Sequence, residues 1–240
     1  MRNLIPHFIQ EQYQQQQFEG EFDALTMFVD VSGFTATTQA LMKQGHEGAE
    51  VLAFILNDVF ARMVNTVYEH GGFISVFAGD AFTAMFPLRR ELAADDIWAR
   101  HVLACADHVQ AIFRRRGIQT TPYGQFTLQV KVGLSRGKVE WGIVGKTEKA
   151  YFFRGAAIDG CAASEHHADK GDIVFDSLAG QLLSPEAIET DVVADGYFRV
   201  RKLPQSLLRR IPRLTLPRRC RPSGCSVAKP ASATGRLPAR

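Results

Sequence analysis

Apolar residues recur along this chain in two rhythms, one belonging to helices and one to buried strands. Between residues 48 and 70, Leu52, Ile55, Val59, Met63 and Val67 return at steps of three and four, which lines one face of a helix. A second helix is predicted over residues 92–116. It carries Ile97, Val102, Cys105, Val109 and Ile112 inward, a basic last turn Arg114-Arg115-Arg116, and Gly117 as its stop. Between the two helices, FISVFA and AFTAMF read as the strands of a hairpin turned at Gly79-Asp80 and closed by Pro87. Upstream, the β-prone run ALTMFV at 24–29 predicts a buried central strand that ends abruptly at Asp30. Ser32-Gly33 breaks that strand, and residues 34–43 resume as helix.

The opening residues 4–17 predict a weak helix with Leu4, Ile5, Phe8 and Ile9 on one side. Downstream, residues 126–134 and 138–144 read as paired strands, followed by a strand at 151–153, a helix over 156–168 and a strand at 173–175. Residues 198–200 are expected to close the sheet as an edge strand. This order of elements predicts helices packed on one central sheet, an α+β or α/β sandwich.

With 240 residues the chain can bury one good core and carry a short appendage. The net charge of +3 conceals an asymmetry: residues 201–240 hold eleven Lys/Arg and no acid, which leaves 17 basic against 25 acidic side chains in the body. Six of the ten prolines also lie in that tail, so it cannot build a core and is expected to be disordered. Clustered arginines can bind phosphate backbones, but the tail lacks interleaved aromatics, and a nucleic-acid partner is not expected.

No uninterrupted apolar stretch approaches the roughly 18–20 residues of a membrane helix, and the glutamine-rich N-terminus is unlike a signal peptide. The expectation is a cytoplasmic protein with no membrane partner. Cys105 and Cys161 are expected as buried thiols, and Cys220 and Cys225 form neither a disulfide framework nor a zinc pattern. His166-His167 is placed at a helix end, and His46, His70, His101 and His108 have no clustered partner in the sequence.

Two stretches carry the chemistry: FVDVSGFT at 28–35 and GGFISVFAGDAFTAMF at 71–86. A charged Asp30 leaving an apolar strand is costly unless a cation or a donor compensates it. If Asp30 and Asp80 meet at one sheet edge, they repel, raise each other's pKa and are relieved by magnesium. Ser32 and Gly33 let backbone N–H groups face a phosphate at the start of the next helix. By themselves these residues point to a divalent metal and a phosphate, with helix caps and turn formers as the structural alternative. A haloacid-dehalogenase-like phosphatase wants a second Asp two residues after the first, where this chain has Ser32.

Taken together and in order, the two stretches resemble the class III adenylyl/guanylyl cyclase catalytic domain. The resemblance continues through VKVGLSRGKVEWGIVG at 130–145 and YFFRGAAIDGCAA at 151–163. It divides the chain into an N-terminal helical segment (1–19), a cyclase domain (20–200) and the Arg/Pro-rich tail (201–240). It also implies a ferredoxin-like βαββαβ sandwich. Two Mg2+ or Mn2+ ions held by Asp30, Asp80 and the Val31 carbonyl are implied as well. A nucleotide-binding loop of Ser32, Gly33, Phe34 and Thr35 with Gly79, and ATP as substrate with GTP left open, complete the implied site.

At the positions where active family members carry a purine-contacting Lys, a second purine-selecting residue, a ribose-orienting Asn and a transition-state Arg, this chain has Val76, Phe152, Asp159 and Ala163. Neither Val76 nor Phe152 can hydrogen-bond a purine edge, and Ala163 cannot neutralise a pentavalent phosphorus. Keeping the aspartates while losing the other set is similar to the first, metal-binding catalytic domain of bicarbonate-responsive soluble adenylyl cyclases. There the degenerate second pocket holds bicarbonate with a Lys and an Arg, whose places are taken here by Val76 and Ala163. The resemblance thus implies a partner, either a complementary second-half domain or a second copy. The competing expectation is a catalytically inactive regulatory cyclase homology domain that dimerises and binds metal-nucleotide.

Overall fold

The computed structural model describes residues 5–91, 93–182 and 188–203. Helix α1 (His7–Gln14) leads into β1 (Glu19–Ser32), the central strand. Two helices follow, α2 (Phe34–Met42) and α3 (Gly45–Glu69), then the hairpin β2 (Phe73–Ala78) and β3 (Ala81–Pro87), and then α4 (Asp95–Arg116). A small hairpin, β4 (Ile118–Thr121) and β5 (Gly124–Thr127), precedes β6 (Gln129–Val144) and β7 (Ala150–Arg154). The remaining elements are α5 (Ala156–His166), β8 (Ile173–Asp176), α6 (Ser177–Gly180), β9 (Glu189–Ala194) and β10 (Tyr197–Lys202).

The main sheet runs in the order β2-β3-β1-β6-β8-β10-β9, with β7 also on β6. All pairings are antiparallel except β6 with β8. Its first four strands, together with α3 and α4, form the ferredoxin-like βαββαβ unit, in which the β2–β3 hairpin is laid beside β1.

Alternation along β1 sorts its side chains onto two faces, as a strand of period two must. Leu25, Met27, Val29 and Val31 join the main core with the α3 stripe Leu52, Ile55, Val59, Met63 and Val67, and with Trp98, Val102 and Val109 of α4. By length and composition α3 could cross a membrane; here that stripe is spent on the core. On the opposite face, Ala24 packs with Phe73, Met85, Val139 and Ala157, and Phe8 of α1 stacks on Phe73 with ring centroids 5.3 Å apart. The Thr26 hydroxyl on this face donates to the Ala157 carbonyl oxygen at 2.6 Å, tying α5 to β1.

Helix α5 can lie that close because of Gly133. A Cβ there would come within 2.1 Å of the Cys161 carbonyl oxygen and 2.3 Å of the Glu165 amide nitrogen. Both are backbone atoms and cannot rotate away. Gly133→Val should therefore cost about 3 kcal/mol or more in a urea titration, the upper range for overpacking. A loss under about 1 kcal/mol would mean that α5 moves freely on the sheet.

Several sequence expectations change. The central strand does not end at Asp30 but runs on to Ser32, because β6 pairs with it along its whole length. Residues 126–134 and 138–144 are not paired strands. Residues 129–144 form the single strand β6, and the polar Ser135-Arg136-Gly137 is carried through by outside partners. Ser135 Oγ donates to Asp176 at 2.5 Å and Arg136 reaches Asp95 at 3.2 Å. The strand expected at 198–200 is the longer β10, and the edge belongs to β9. Cys105 and Cys161 are both buried thiols, and burial pushes Cys161 up to about 12. Cys220, Cys225 and the expected disordered tail from 204 onward lie outside the described residues.

Candidate active site

Asp30 reaches the site as the third residue from the end of β1. It follows Thr26 and Phe28 in the alternation, so its carboxylate lies on the α5 face of the sheet. Asp80 occupies the tight turn between β2 and β3, beside Gly79, whose φ of +66° suits glycine. Register brings the two together: Asp30 is paired with Ala81, and the Val31 N–H donates to the Asp80 carbonyl oxygen at 3.3 Å. A strand residue points its N–H and C=O to the same side, so the Val31 carbonyl also faces this turn. Burial, followed by the negative charges of Glu165 and Asp80, raises the Asp30 pKa above its ordinary value, and Lys131 only partly offsets them.

That unrelieved charge is what a bound cation would satisfy. Among the described residues no cluster of three or more His, Cys, Asp or Glu side chains forms a cage for a metal. Two carboxylates and a carbonyl nevertheless suit Mg2+, which keeps waters and substrate phosphates in its shell. The residues present therefore fit the metal implied by the sequence resemblance.

Gly33 caps α2 with φ +90°, and a Cβ there would meet the Thr127 carbonyl oxygen at 2.4 Å. The loop can pass so close to the β5–β6 connection only as glycine. Thr37 then donates its hydroxyl to the Gly33 carbonyl oxygen at 2.8 Å, fixing the first turn. Phe34 is half-buried against the core while Thr35 is exposed and Ser32 half-exposed. This leaves the helix N-terminus open next to Asp30 as an anion seat.

Two charged residues at this site were missed in the sequence reading. Lys131 is the β6 partner of Asp30, its Nζ lies 3.9 Å from Asp30 Oδ2, and it also forms an ion pair with Glu165 of α5. The only sequence hint was a lysine within the apolar run VKVGL; its partners come from other elements.

The four positions expected to be degenerate do not surround the aspartates as a set. Val76 lies on the edge strand β2 and is 54% exposed, next to the exposed Phe77. Phe152 on β7 is exposed beneath the Arg154 guanidinium, 5.7 Å from the ring centre. Asp159 is exposed and Ala163 half-buried, one turn apart on α5.

The expectation that His70, His101 and His108 have no clustered partner is overturned. His70 caps the end of α3, and the other two lie two turns apart on α4, so packing of the two helices gathers them. His70 Nε2 lies 3.0 Å from His108 Nδ1, and the His101 ring centre is 6.1 Å from that of His70. Burial, then the nearby His108 and His101, lowers the His70 pKa to about 4.

The structure is thus a ferredoxin-like sheet domain that brings two carboxylates together beside a helix N-terminus, groups chemically suited to a divalent cation and an anion. Residues 19–206 match the adenylate and guanylate cyclase catalytic domain, and the chain belongs to that family. Rat adenylate cyclase type 10 is 30% identical over 177 residues, covering 72% of this chain; the chain spans only 11% of that relative's length. The guanylate cyclase domain of RhGC from Catenaria anguillulae, solved in complex with GTP, superposes with a TM-score of 0.61 at 16% identity, over 77% of this chain and all of that one. The adenylyl cyclase CyaB from P. aeruginosa gives 0.59 at 18% identity, covering 78% and 97%. Both structures share the fold.

Proposed function

We propose that this chain supplies the metal-holding half of a dimeric adenylyl cyclase site that converts ATP to cyclic AMP and pyrophosphate. The observation that carries the proposal is that the register Asp30–Ala81 and the Val31–Asp80 backbone hydrogen bond bring Asp30 and Asp80 to one sheet edge beside the N-terminus of α2. Asp30, Asp80 and the Val31 carbonyl would hold two Mg2+ or Mn2+ ions. When bound, such ions supply Lewis acidity that makes a ribose 3′-hydroxyl more acidic and neutralises a triphosphate. Gly33 keeps the loop close, and the amides of Phe34 and Thr35 donate to phosphate oxygens, which orients the triphosphate for in-line attack by the 3′-oxygen on the α-phosphorus. The preference for ATP follows the relatives named as adenylate cyclases.

The other half of the site must come from a partner. Val76, Phe77 and Phe152 are exposed apolar side chains at 54%, 45% and 39%, where a polar purine pocket would be wet. The catalytically inactive regulatory reading draws on the same residues, since two chains of this kind would pair metal sites with no donors for the base.

Reconstitution separates the two readings. The chain is mixed with a second-half cyclase domain that carries the Lys, Asn and Arg, and is supplied with ATP or GTP and Mn2+. The expected result is cyclic AMP formation at least about a hundredfold above the chain alone, the scale of one lost charge stabiliser. Equal turnover with and without the complement would refute the half-site reading. No product from either nucleotide would favour the regulatory one.

A further inference from the structure

We propose that Lys131 is a built-in stand-in cation for Asp30 in the metal-free chain, and that Glu165 is the positioning carboxylate that holds this ammonium aside when a divalent ion arrives. The inference rests on the reading of Asp30 as a metal-holding residue. Strand register sets Lys131 directly across from Asp30, with both side chains on the face that α5 covers. The side chains of Lys131, Asp30 and Glu165 are 24%, 29% and 12% exposed, so all three charges sit largely out of water. Two carboxylates at such depth, with Asp80 nearby, carry more negative charge than one ammonium neutralises.

The geometry is unequal. Lys131 touches Glu165 in a close ion pair and reaches Asp30 at 3.9 Å, a looser contact. Glu165 holds its place because Gly133, two residues along the same face of β6, admits the α5 backbone. The ammonium thus has a permanent seat on Glu165 and a weaker one on Asp30. A divalent ion displaces only the weaker contact, and Lys131 is left in its pair with Glu165 instead of stranded. If the pair were no more than a clip between α5 and β6, the neighbouring Asp30 would be indifferent to it.

Mn2+ binding to the full chain without nucleotide, followed by titration calorimetry or by the electron paramagnetic resonance of free Mn2+, tests this. Lys131→Gln removes the competitor and should tighten Mn2+ binding about tenfold, the lower end of effects seen for groups that orient metal ligands. Glu165→Gln leaves the ammonium to Asp30 alone and should weaken binding by a similar factor. The double variant K131Q/E165Q should bind at least as tightly as the wild type. An unchanged or weaker affinity in Lys131→Gln overturns the proposal, as does a double variant that stays as weak as Glu165→Gln. If neither the wild type nor Lys131→Gln binds Mn2+ at millimolar concentration, the metal reading of Asp30 itself fails, and this inference fails with it. Should Glu165→Gln not fold, Lys131→Gln still decides alone, because a clip would lose stability without gaining affinity.

Discussion

Asp30→Ala and Asp80→Ala should each reduce the reconstituted cyclase rate by about a thousandfold or more, since each removes a charged metal-holding group and not merely one hydrogen-bond donor. The loss should come without unfolding. The Asp30 pKa is raised chiefly by burial and then by Glu165 and Asp80, so its ionised form is strained in the metal-free fold. Asp30→Asn, which removes the charge and keeps the shape, is therefore expected to raise the thermal midpoint in the absence of metal while abolishing activity. Saturating Mn2+ should raise the midpoint of the wild type and leave that of Asp30→Asn unchanged. Wild-type activity in either alanine variant would remove the metal assignment. A midpoint that falls sharply in Asp30→Asn would show instead that Asp30 is a structural residue.

The second large effect is acid sensitivity centred on the α3–α4 junction. His70 has its pKa lowered to about 4 from an ordinary value of 6.5 by burial and by His108 and His101. Because the folded value lies below the unfolded one, the unfolded chain takes up the proton first. Stability is then fully present above about pH 6.5 and is lost as pH falls toward 4. The difference corresponds to about 3 kcal/mol at 1.36 kcal/mol per pH unit. The His70–His108 hydrogen bond also needs a neutral nitrogen as its acceptor, so charging both rings removes that contact as well. Other titratable groups near this junction are Glu69 at the end of α3 and the Cys105 thiol, which burial and then Glu69 push up. Urea midpoints measured between pH 7 and 4.5 should fall steeply for the wild type and much less for His70→Leu. Parallel profiles would assign the acid sensitivity to carboxylates elsewhere.

How far the sequence could be read depended on how local each cause was. The α3 stripe and the α4 periodicity were legible because each helix repeats its own pattern at a fixed step. The hairpin turn at Gly79-Asp80 was legible because glycine there takes a positive φ that few other residues tolerate. Strand β6 was misread as two strands because Ser135-Arg136-Gly137 looks like a break. Asp176 and Asp95, from distant elements, supply the contacts that carry the backbone through. Strand β9 was missed because ETDVVA lies at the sheet edge with no buried residue and lacks a buried strand's apolar run. The histidine cluster and the Lys131–Glu165 pair were invisible for a related reason: their members lie on separate elements that meet only after folding.

Residue pattern alone determined that this chain folds as helices on one sheet, that Asp30 belongs to an apolar strand, that Asp80 turns a hairpin, and that an anion-friendly glycine follows the first aspartate. Each of these depends on neighbours within a few positions. Tertiary structure alone decided that the two carboxylates share one edge, that Lys131 stands opposite Asp30 with Glu165 beside it, and that three histidines meet between α3 and α4. Those facts are set by strand register and helix packing, where one residue of slip would turn Asp30 from the α5 face into the apolar core.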